Sequence, residues 1–413
     1  MKKTIIYLTA AVIFSFCLVQ TAQADELSEL KEQLKAMQKQ MQEQAKQIEG
    51  MKEKIEQLEA ERQARIETPK EMEERVIALE KEQKELKDRE LPLLKGERFK
   101  IGGAISLNYF YKDFDDANKD KGGDMEFSSF RLGVHGSIND ILISAQYRWY
   151  SYMHVIQNAW IGYNFTDNLQ TQLGITRVPF GILPYASHNY WEGVPYYLGF
   201  EDDRDLGLKL LYKKSPWDLR VAFFKNAEWG SPSKTERYSY DVVKVGDQNN
   251  EEINQLNARL AYTFEHGKLG STEAGLSGQF GQLYNSITES SGHHWAVAGH
   301  VNGYYGPFNL MLEAVRYQHN PKNPAGIDDK TVVMGGFDGS YEVAAEGTIL
   351  VADLSYNVPV KWGPISKLTF YDDYSVLIKD EDNFNDSYIN TLGCVISAEP
   401  VFIYLDKIGR AHV

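Results

Sequence analysis

Short segments in which apolar and polar residues alternate fill the chain from about residue 98 to residue 406. In the first segment Ile105, Leu107 and Tyr109 share one face, whereas Ser106 and Asn108 share the other. We count about 15 such segments, most of them about ten residues long, with aromatic residues near their ends. Because a strand alternates its side chains between two faces, this pattern predicts an all-β transmembrane barrel of about 16 antiparallel strands.

Apart from a brief link near Tyr152, the connections between these segments alternate in length. Short turns lie at 139–140, 166–168, 215–217, 266–270, 306–307 and 398–400, and long links lie at 113–125, 179–205, 228–252, 285–293, 318–344 and 377–387. Outer-membrane barrels have short periplasmic turns and long external loops, whereas a soluble β-sandwich or solenoid has no reason to sort its connections this way. Closure requires an even number of strands, so we expect the last strand to be cut short.

The first 24 residues form a separate segment. Two lysines precede an apolar run from about Ile5 to Val19, and Ala22-Gln23-Ala24 provides small residues for cleavage. This order is typical of a secretory signal peptide, and a membrane anchor is the alternative interpretation. Removal of residues 1–24 leaves Cys394 as the one cysteine, which predicts an exported protein without an internal disulfide.

Residues 25–92 contain hardly an aromatic residue and have a different period. Apolar residues recur every seven positions in two seams: Leu27, Leu34, Met41, Ile48 and Ile55, and Leu30, Met37, Met51 and Leu58 with the polar Gln44 among them. This spacing predicts an α-helical coiled coil, which we interpret as a self-associating periplasmic stalk. A single solvated amphipathic helix is the alternative.

The last six residues, Ile408–Val413, lack alternation and the terminal aromatic residue that such barrels usually carry. They correspond to what one reading frame of a common sequencing adapter encodes. We therefore assign the barrel to residues 98–407 and interpret 408–413 as a non-native tail. An ordinary polar tail is the alternative.

The segment Gly174-Ile-Thr-Arg177-Val-Pro179-Phe180-Gly181 resembles the Gly-x-x-Lys/Arg-x-Pro-Phe-Gly turn of phosphate-selective porins O and P. The segments Phe130–Gly136 and Asn390–Gly393 also resemble sequences of that family. The resemblance covers about residues 98–406 and leaves out the stalk. It implies an outer-membrane porin whose third loop, here residues 182–205, folds into the lumen and narrows it.

Charged residues are expected inside such a barrel. If the apolar faces meet lipid, six basic residues of the first eight strands form a lumen ladder: Lys100, Arg131, Arg148, Lys209, Arg220 and Arg259. At the constriction we place Arg177, Glu192, Glu201, Asp202, Asp203 and Arg204, although Arg177 points inward only if the chain kinks at Pro179. Opposed charges across a narrow pore favour small polar solutes. The alternative is that these charges only solvate the lumen or pair with one another.

These observations predict a porin of the Gram-negative outer membrane, in contact with lipid, for passive diffusion of small hydrophilic solutes or ions. Lumenal Glu313 and Asp353 dilute the basic wall, so the sequence does not choose between anions and cations. By analogy with general porins we expect a homotrimer. Peptidoglycan or a periplasmic protein is a candidate partner for the stalk. The competing hypothesis is a plugged barrel that tethers the outer membrane to the cell wall.

Other classes of function find little support in the sequence. The net charge of −14 weighs against nucleic acid as a partner. There is no nucleotide loop, His-Glu-x-x-His helix or Gly-x-Ser-x-Gly elbow, so we expect neither an enzyme nor a cofactor. We interpret His293, His294 and His300 as polar surface and not as metal ligands.

Overall fold

The computed structural model describes residues 99–228 and 233–411, together with Lys54. The predicted signal peptide (1–24), the predicted stalk (25–92) apart from Lys54, and residues 412–413 of the predicted tail lie outside the described residues. None of the helices in the described ranges is long and apolar enough to cross a membrane.

Fifteen strands of the described chain form one antiparallel sheet, in which each strand pairs with its neighbours along the chain. These strands are β1 (Lys100–Phe110), β2 (Asp124–Ile138), β3 (Ile141–Tyr150), β4 (His154–Thr166), β5 (Leu169–Arg177), β6 (Arg204–Lys214), β7 (Trp217–Ala227), β9 (Asn250–Glu265), β10 (Ser271–Asn285), β11 (Ser290–Tyr305), β12 (Phe308–Asn320), β15 (Glu346–Trp362), β16 (Ile365–Lys379), β17 (Ser387–Ala398) and β18 (Val401–Ala411). The number of strands in this sheet agrees with the expected 15 segments, and an antiparallel meander of this length is consistent with a β-barrel.

Three further strands form a separate antiparallel sheet in the order β14-β13-β8. They are β8 (Asp241–Val242), β13 (Thr331–Gly336) and β14 (Gly339–Ala344). The first lies between β7 and β9, and the other two form a hairpin between β12 and β15. The sequence predicted both connections as loops without strands. Because Met334 pairs with Val242, two connections from distant parts of the chain meet.

Two short helices lie in other long connections. Helix α1 (Asp116–Asp120) follows β1, and its N-cap Asp115 accepts a hydrogen bond from the backbone N of Asn118. Helix α2 (Val194–Tyr197) lies between β5 and β6 and has a proline in its first turn, where the missing N–H costs no helical hydrogen bond. A single 3₁₀ turn, Gly267–Leu269, connects β9 to β10.

Side-chain exposure along the strands is the reverse of that in a water-soluble sheet. Leu173 on β5 is 56% exposed while its neighbour Gln172 is 2% exposed, and Leu312 on β12 is 41% exposed while Glu313 is 4% exposed. Apolar side chains therefore cover the outer face of the sheet, and polar side chains are enclosed on the inner face. This distribution is typical of a barrel surrounded by lipid.

Exposed aromatic side chains mark the edge of the sheet at which the short turns lie. They are Tyr163, Phe165, Tyr212, Trp217, Phe264, Tyr305, Phe308, Tyr356 and Trp362. Transmembrane barrels carry such aromatic rows at the boundary between hydrocarbon and water.

Several strands extend further than the sequence predicted. The link expected at 285–293 shrinks to residues 286–289, because Asn285 pairs with Ser290 at the end of β10 and β11. The polar residues at these strand ends hid the alternation. Strand β18 likewise continues to Ala411 and pairs along its whole length with β17, beyond the expected end at 406.

Candidate functional site

The connection between β5 and β6, residues 178–203, lies against the inner face of distant strands. The backbone N of Gly181 donates to Ser277 Oγ on β10 (3.1 Å), and the backbone N of Val194 donates to Ser375 Oγ on β16 (2.9 Å). Both serines are buried on the inner face of the sheet. The segment therefore connects β5 and β6 to strands that are distant in the sheet, and we call it the crossing segment.

Gly181 has a local role that only glycine can fill. Its φ is +60°, and a Cβ at this position would lie 2.5 Å from Glu313 Oε2. The same carboxylate oxygen accepts a hydrogen bond from the backbone N of Ile182 (2.6 Å). Glycine adopts the left-handed conformation without a steric penalty and leaves room for the carboxylate.

Asp373 on β16 anchors the middle of the crossing segment. Its Oδ2 accepts hydrogen bonds from the backbone N of His188 (2.7 Å) and of Asn189 (2.9 Å), and from Asn189 Nδ2 (2.9 Å). His188 Nδ1 lies 2.7 Å from Asp373 Oδ1, and His188 Nε2 lies 2.8 Å from Asn309 Oδ1. Asp373 was not among the predicted site residues, although it is an acidic residue at an inward-facing strand position.

Asp202, at the end of the crossing segment, is the centre of a buried ion-pair cluster. Its Oδ1 lies 2.6 Å from a terminal nitrogen of both Arg177 and Arg204, and Tyr238 Oη donates to its Oδ2 (2.5 Å). Burial favours the neutral acid, but Arg177 and Arg204 outweigh it and lower the pKa of Asp202 to about 2. Strict alternation pointed Arg177 at lipid unless the chain kinked at Pro179, and in the structure its side chain is buried against Asp202.

Glu192 and Glu201 form a second group in the crossing segment. Ser187 Oγ donates to Glu192 Oε2 (2.5 Å), and the backbone N of Ala186 donates to Glu201 Oε1 (2.8 Å). Burial raises the pKa of Glu192 to about 7. Burial and the adjacent Glu192 carboxyl raise the pKa of Glu201 well above its usual range. These two residues are neighbouring carboxyl groups, whereas the sequence analysis treated them as separate negative charges.

Asp203, next to Asp202, lies among other acidic residues. One carboxylate oxygen each from Asp203, Asp205 and Asp241 lie within 4.8 Å of one another, and all three residues are buried. Burial, followed by repulsion from Asp241, raises the pKa of Asp203 well above its usual range. Asp203 therefore belongs to a cluster of acidic residues and does not face the basic wall.

Three members of the expected lumen ladder lie together and make polar contacts. Arg220 Nε lies 2.9 Å from Asp218 Oδ1, and a terminal nitrogen of Arg259 lies 2.8 Å from Glu273 Oε1. Lys209 Nζ donates to a backbone oxygen, that of Arg177, at 2.8 Å. Asp218 lies on β7 with Arg220, Glu273 lies on β10 next to the β9 strand of Arg259, and the two acidic residues offset part of this positive charge.

The other three members lie on β1 to β3. Arg131 and Arg148 are opposite each other across β2 and β3, and the Arg148 guanidinium lies 4.7 Å from the centre of the Tyr238 ring. Lys100 and Arg131 are exposed. Lys100 pairs in register with His135.

Acidic residues on the inner face come mainly from the second half of the sheet. Glu313 on β12, Asp353 on β15 and Asp373 on β16 are all buried there. The basic residues of the ladder come from β1 to β9. Strands β6 and β7 carry both signs of charge, as in the pair of Arg220 with Asp218, and the crossing segment contacts Glu313 and Asp373 as well as Arg177 and Arg204.

Apolar side chains also pack inside the sheet, which the sequence analysis did not anticipate. The interior apolar cluster combines Val178, Phe180, Val194, Leu198 and Phe200 of the crossing segment with wall residues such as Phe224, Val315, Tyr317 and Ile349, and with Val332, Met334 and Val343 of the small sheet. The assumption that every apolar strand residue faces lipid is therefore wrong for this part of the wall.

Part of the chain is similar in sequence to a known family of porins. Residues 99–291 match the family of phosphate-selective porins O and P. The match spans β1 to β10 and includes the Pro-Phe-Gly turn that begins the crossing segment. No curated protein matches the chain.

Solved porin structures resemble the chain at low sequence identity. The outer membrane channel DcaP of Acinetobacter baumannii is 13% identical, with 78% of this chain and 93% of that chain covered and a TM-score of 0.47. The OmpF of Salmonella typhi, solved with daunomycin, is 11% identical, with coverage of 76% and 90% and a TM-score of 0.48. An anion-selective porin from Comamonas acidovorans is 10% identical, with coverage of 75% and 87% and a TM-score of 0.46.

Proposed function

We propose that the protein is an outer-membrane channel for passive diffusion of small hydrophilic solutes or ions, narrowed by the crossing segment. The observation that carries this proposal is the reversed polarity of the sheet, with leucines such as Leu173 and Leu312 outside and Gln172 and Glu313 inside. A surface of this kind is stable only in lipid, and its enclosed polar face suits a water-filled path.

The interior charges suggest how such a channel selects solutes. Basic residues from β1 to β9 and acidic residues from β12 to β16 create a field across the path, with Arg177, Asp202 and Arg204 at the crossing segment. Such a field orders water and favours polar solutes over apolar ones. Because Asp218 and Glu273 offset part of the ladder, we propose only a weak preference for anions or neutral solutes and none for phosphate in particular.

A planar lipid bilayer tests the channel directly. The refolded protein should produce stepwise conductance, and the same amount of detergent without protein should not. Far-UV circular dichroism and heat-modifiable electrophoretic mobility would establish that the protein is folded. If folded protein leaves the bilayer sealed, the channel proposal is wrong.

A shortened variant tests the narrowing. Replacing residues 184–198 by a short Gly-Ser linker keeps β5, β6 and the Asp202 cluster but removes the part that lies against Asp373 and Ser375. We expect larger conductance steps, because the linker no longer occupies the interior. Equal steps from a folded variant would show that this segment does not limit the flow.

The interior apolar cluster favours a second candidate, a plugged barrel that tethers the outer membrane to the cell wall through the stalk. Side chains such as Phe200 and Tyr317 pack inside the sheet with ring centres 5.3 Å apart, and such packing fills part of the interior. If this candidate is correct, the full chain should co-sediment with peptidoglycan and give no conductance. A chain lacking residues 25–92 should then stay in solution.

We also propose a homotrimer stabilised by the predicted stalk. Three stalks on one side of a trimer would have a high effective concentration, so that even a short coiled coil could form. Charged replacements at Ile48, Met51 and Ile55 should lower the temperature at which the trimer dissociates and leave single-channel conductance intact. If deletion of the stalk leaves that temperature unchanged, the stalk does not hold the assembly.

A further inference from the structure

The strongest unexplained feature of the interior is a group of five acidic residues where three parts of the chain meet. We call it the carboxyl cluster: Asp203, Asp205, Glu228, Asp241 and Glu252. Asp203 ends the crossing segment and Asp205 lies on β6, Glu228 and Asp241 belong to the connection after β7, and Glu252 lies on β9. Within the described ranges, Arg237 is the basic residue paired with it, at 2.9 Å from Asp241 Oδ2.

The protein itself leaves part of this cluster unsatisfied. Asp203 Oδ1, Asp205 Oδ1, Asp241 Oδ1 and Glu228 Oε2 are buried and have no hydrogen-bond partner among the described residues. All four residues are at least 95% buried. Buried polar atoms in folded proteins are nearly always satisfied, and a buried negative charge without compensation is costly. One arginine cannot compensate five carboxylates, so either protons or a bound cation must neutralise the rest.

The spacing of the oxygens indicates what that species is. Asp203, Asp205 and Asp241 each offer a carboxylate oxygen, and these oxygens lie within 4.8 Å of one another. Calcium binds oxygens at about 2.3–2.6 Å, so oxygens on opposite sides of one ion are roughly 4.6–5.2 Å apart. A single ion can therefore contact all three without a large rearrangement of the backbone.

The donor set selects among metals. The three aspartates offer carboxylate oxygens and no sulfur or imidazole, which suits a hard cation and not zinc or copper. Magnesium requires nearly ideal octahedral geometry and keeps several waters, whereas calcium accepts six to eight oxygens in flexible arrangements. Glu228 lies beside Asp241 and can supply a further oxygen, whereas the Glu252 carboxylate lies within 4.8 Å of His294 and His319.

We propose that the carboxyl cluster is a calcium-binding site that fastens the crossing segment to the connection after β7. The ion bridges Asp203 and Asp205 to Asp241, and Glu228 lies at the same place. Asp202, next to Asp203, is already held by two arginines. The calcium ion would attach the same end of the crossing segment to the connection after β7. The site is independent of the channel proposal, since it requires only the fold.

Calcium titration of the EDTA-treated, refolded protein by isothermal calorimetry tests the site. We expect saturable binding of one ion, and replacement by Asn at Asp203 or at Asp205 should weaken it at least about ten-fold, because each removes a charged ligand. Asp241 is left intact in both variants, so that Arg237 keeps its partner. The matched control is Asp247→Asn, an exposed aspartate of the same connection, which should bind calcium like the wild type.

Thermal unfolding distinguishes calcium binding at the carboxyl cluster from a general effect of charge on stability. Calcium should raise the unfolding temperature of the wild type. In EDTA, Asp203→Asn should unfold at a higher temperature than the wild type, because it relieves repulsion. If neither variant folds, Glu228→Gln provides the same comparison.

Three results would overturn the proposal. The first is no saturable binding by the folded wild type at up to about 10 mM calcium, above the range of weak extracellular sites. The second is equal affinity in the wild type and in folded Asp203→Asn and Asp205→Asn variants. The third is a wild type that is stabilised by acid and indifferent to calcium, because protons would then neutralise the cluster.

Discussion

Replacement of Asp202 by Asn tests how the crossing segment is held in place. Asp202 is completely buried and lies 2.6 Å from both Arg177 and Arg204. Asparagine has nearly the same shape and can still accept a hydrogen bond from Tyr238. It removes the negative charge, however, so two buried guanidinium groups lose the carboxylate that neutralises them.

The expected loss of stability is large. Removing one partner of a buried ion pair typically costs about 3–5 kcal/mol. The pKa gives a second figure: a fall from 3.8 to about 2 corresponds to about 2.4 kcal/mol for ionised Asp202, at ~1.36 kcal/mol per pKa unit. We therefore expect Asp202→Asn to lower the free energy of unfolding by about 2–5 kcal/mol.

Urea unfolding in detergent micelles, followed by tryptophan fluorescence, measures this loss. The control is Asp167→Asn, an exposed aspartate in the turn between β4 and β5, which should stay within about 0.5 kcal/mol of the wild type. If Asp202→Asn also stays within that margin, the cluster does not hold the crossing segment and our reasoning about it is wrong.

The pH dependence of the stability difference between the wild type and Asp202→Asn provides an internal check. The folded-state pKa of Asp202 lies below its usual value of 3.8. The stabilisation by its ionised carboxylate is therefore fully present above pH 3.8 and is lost as the pH falls towards about 2. The difference between the wild type and Asp202→Asn should therefore shrink over this window. A difference that is constant across it would mean that the charge of Asp202 is not the cause.

Three further predictions concern the interior. Gly181→Ala should lower the free energy of unfolding by at least about 1–2 kcal/mol, because alanine is strained in the left-handed conformation and would displace Glu313. Urea unfolding measures this loss, and an unchanged midpoint would contradict the close approach of Gly181 to Glu313. Replacing Arg131, Arg148 and Arg220 together by Ser should shift the reversal potential under a KCl gradient towards cations, and no shift would refute the ladder. The pKa of Glu192 is raised to about 7, so its ionisation should increase cation preference as the pH rises through that value; Glu192→Gln should abolish this pH dependence, and a dependence retained in that variant would assign it to another group.

The repetitive part of the fold could be predicted from the sequence because each strand carries its own signal. Alternation such as Ile105, Leu107 and Tyr109 against Ser106 and Asn108 depends only on the period of the strand. The short turns at 139–140 and 306–307 follow from local composition in the same way. The 15 strands of the main sheet therefore required no knowledge of which residues meet at long range.

The interior could be predicted only in part, since it depends on contacts between distant segments. Strand β8 contains two residues and exists because Val242 meets Met334, so no local pattern marks it. Phe200 lies in the predicted third loop and Tyr317 lies in a strand, and nothing in either neighbourhood indicates that their rings meet. Asp203 looks like Asp202 in sequence, and only the fold separates the arginine partners of one from the acidic neighbours of the other.

The interior apolar cluster also implies an order of folding. Pairings between consecutive strands are local in sequence, so their closure entropy is small and they can form early. The contact between Phe200 and Tyr317, and that between the small sheet and the crossing segment, joins residues far apart in the chain and requires a sheet that has already curved around them. The interior should therefore pack after the wall has formed, and a truncation such as Phe200→Ala should accelerate unfolding while leaving the rate of sheet formation nearly unchanged.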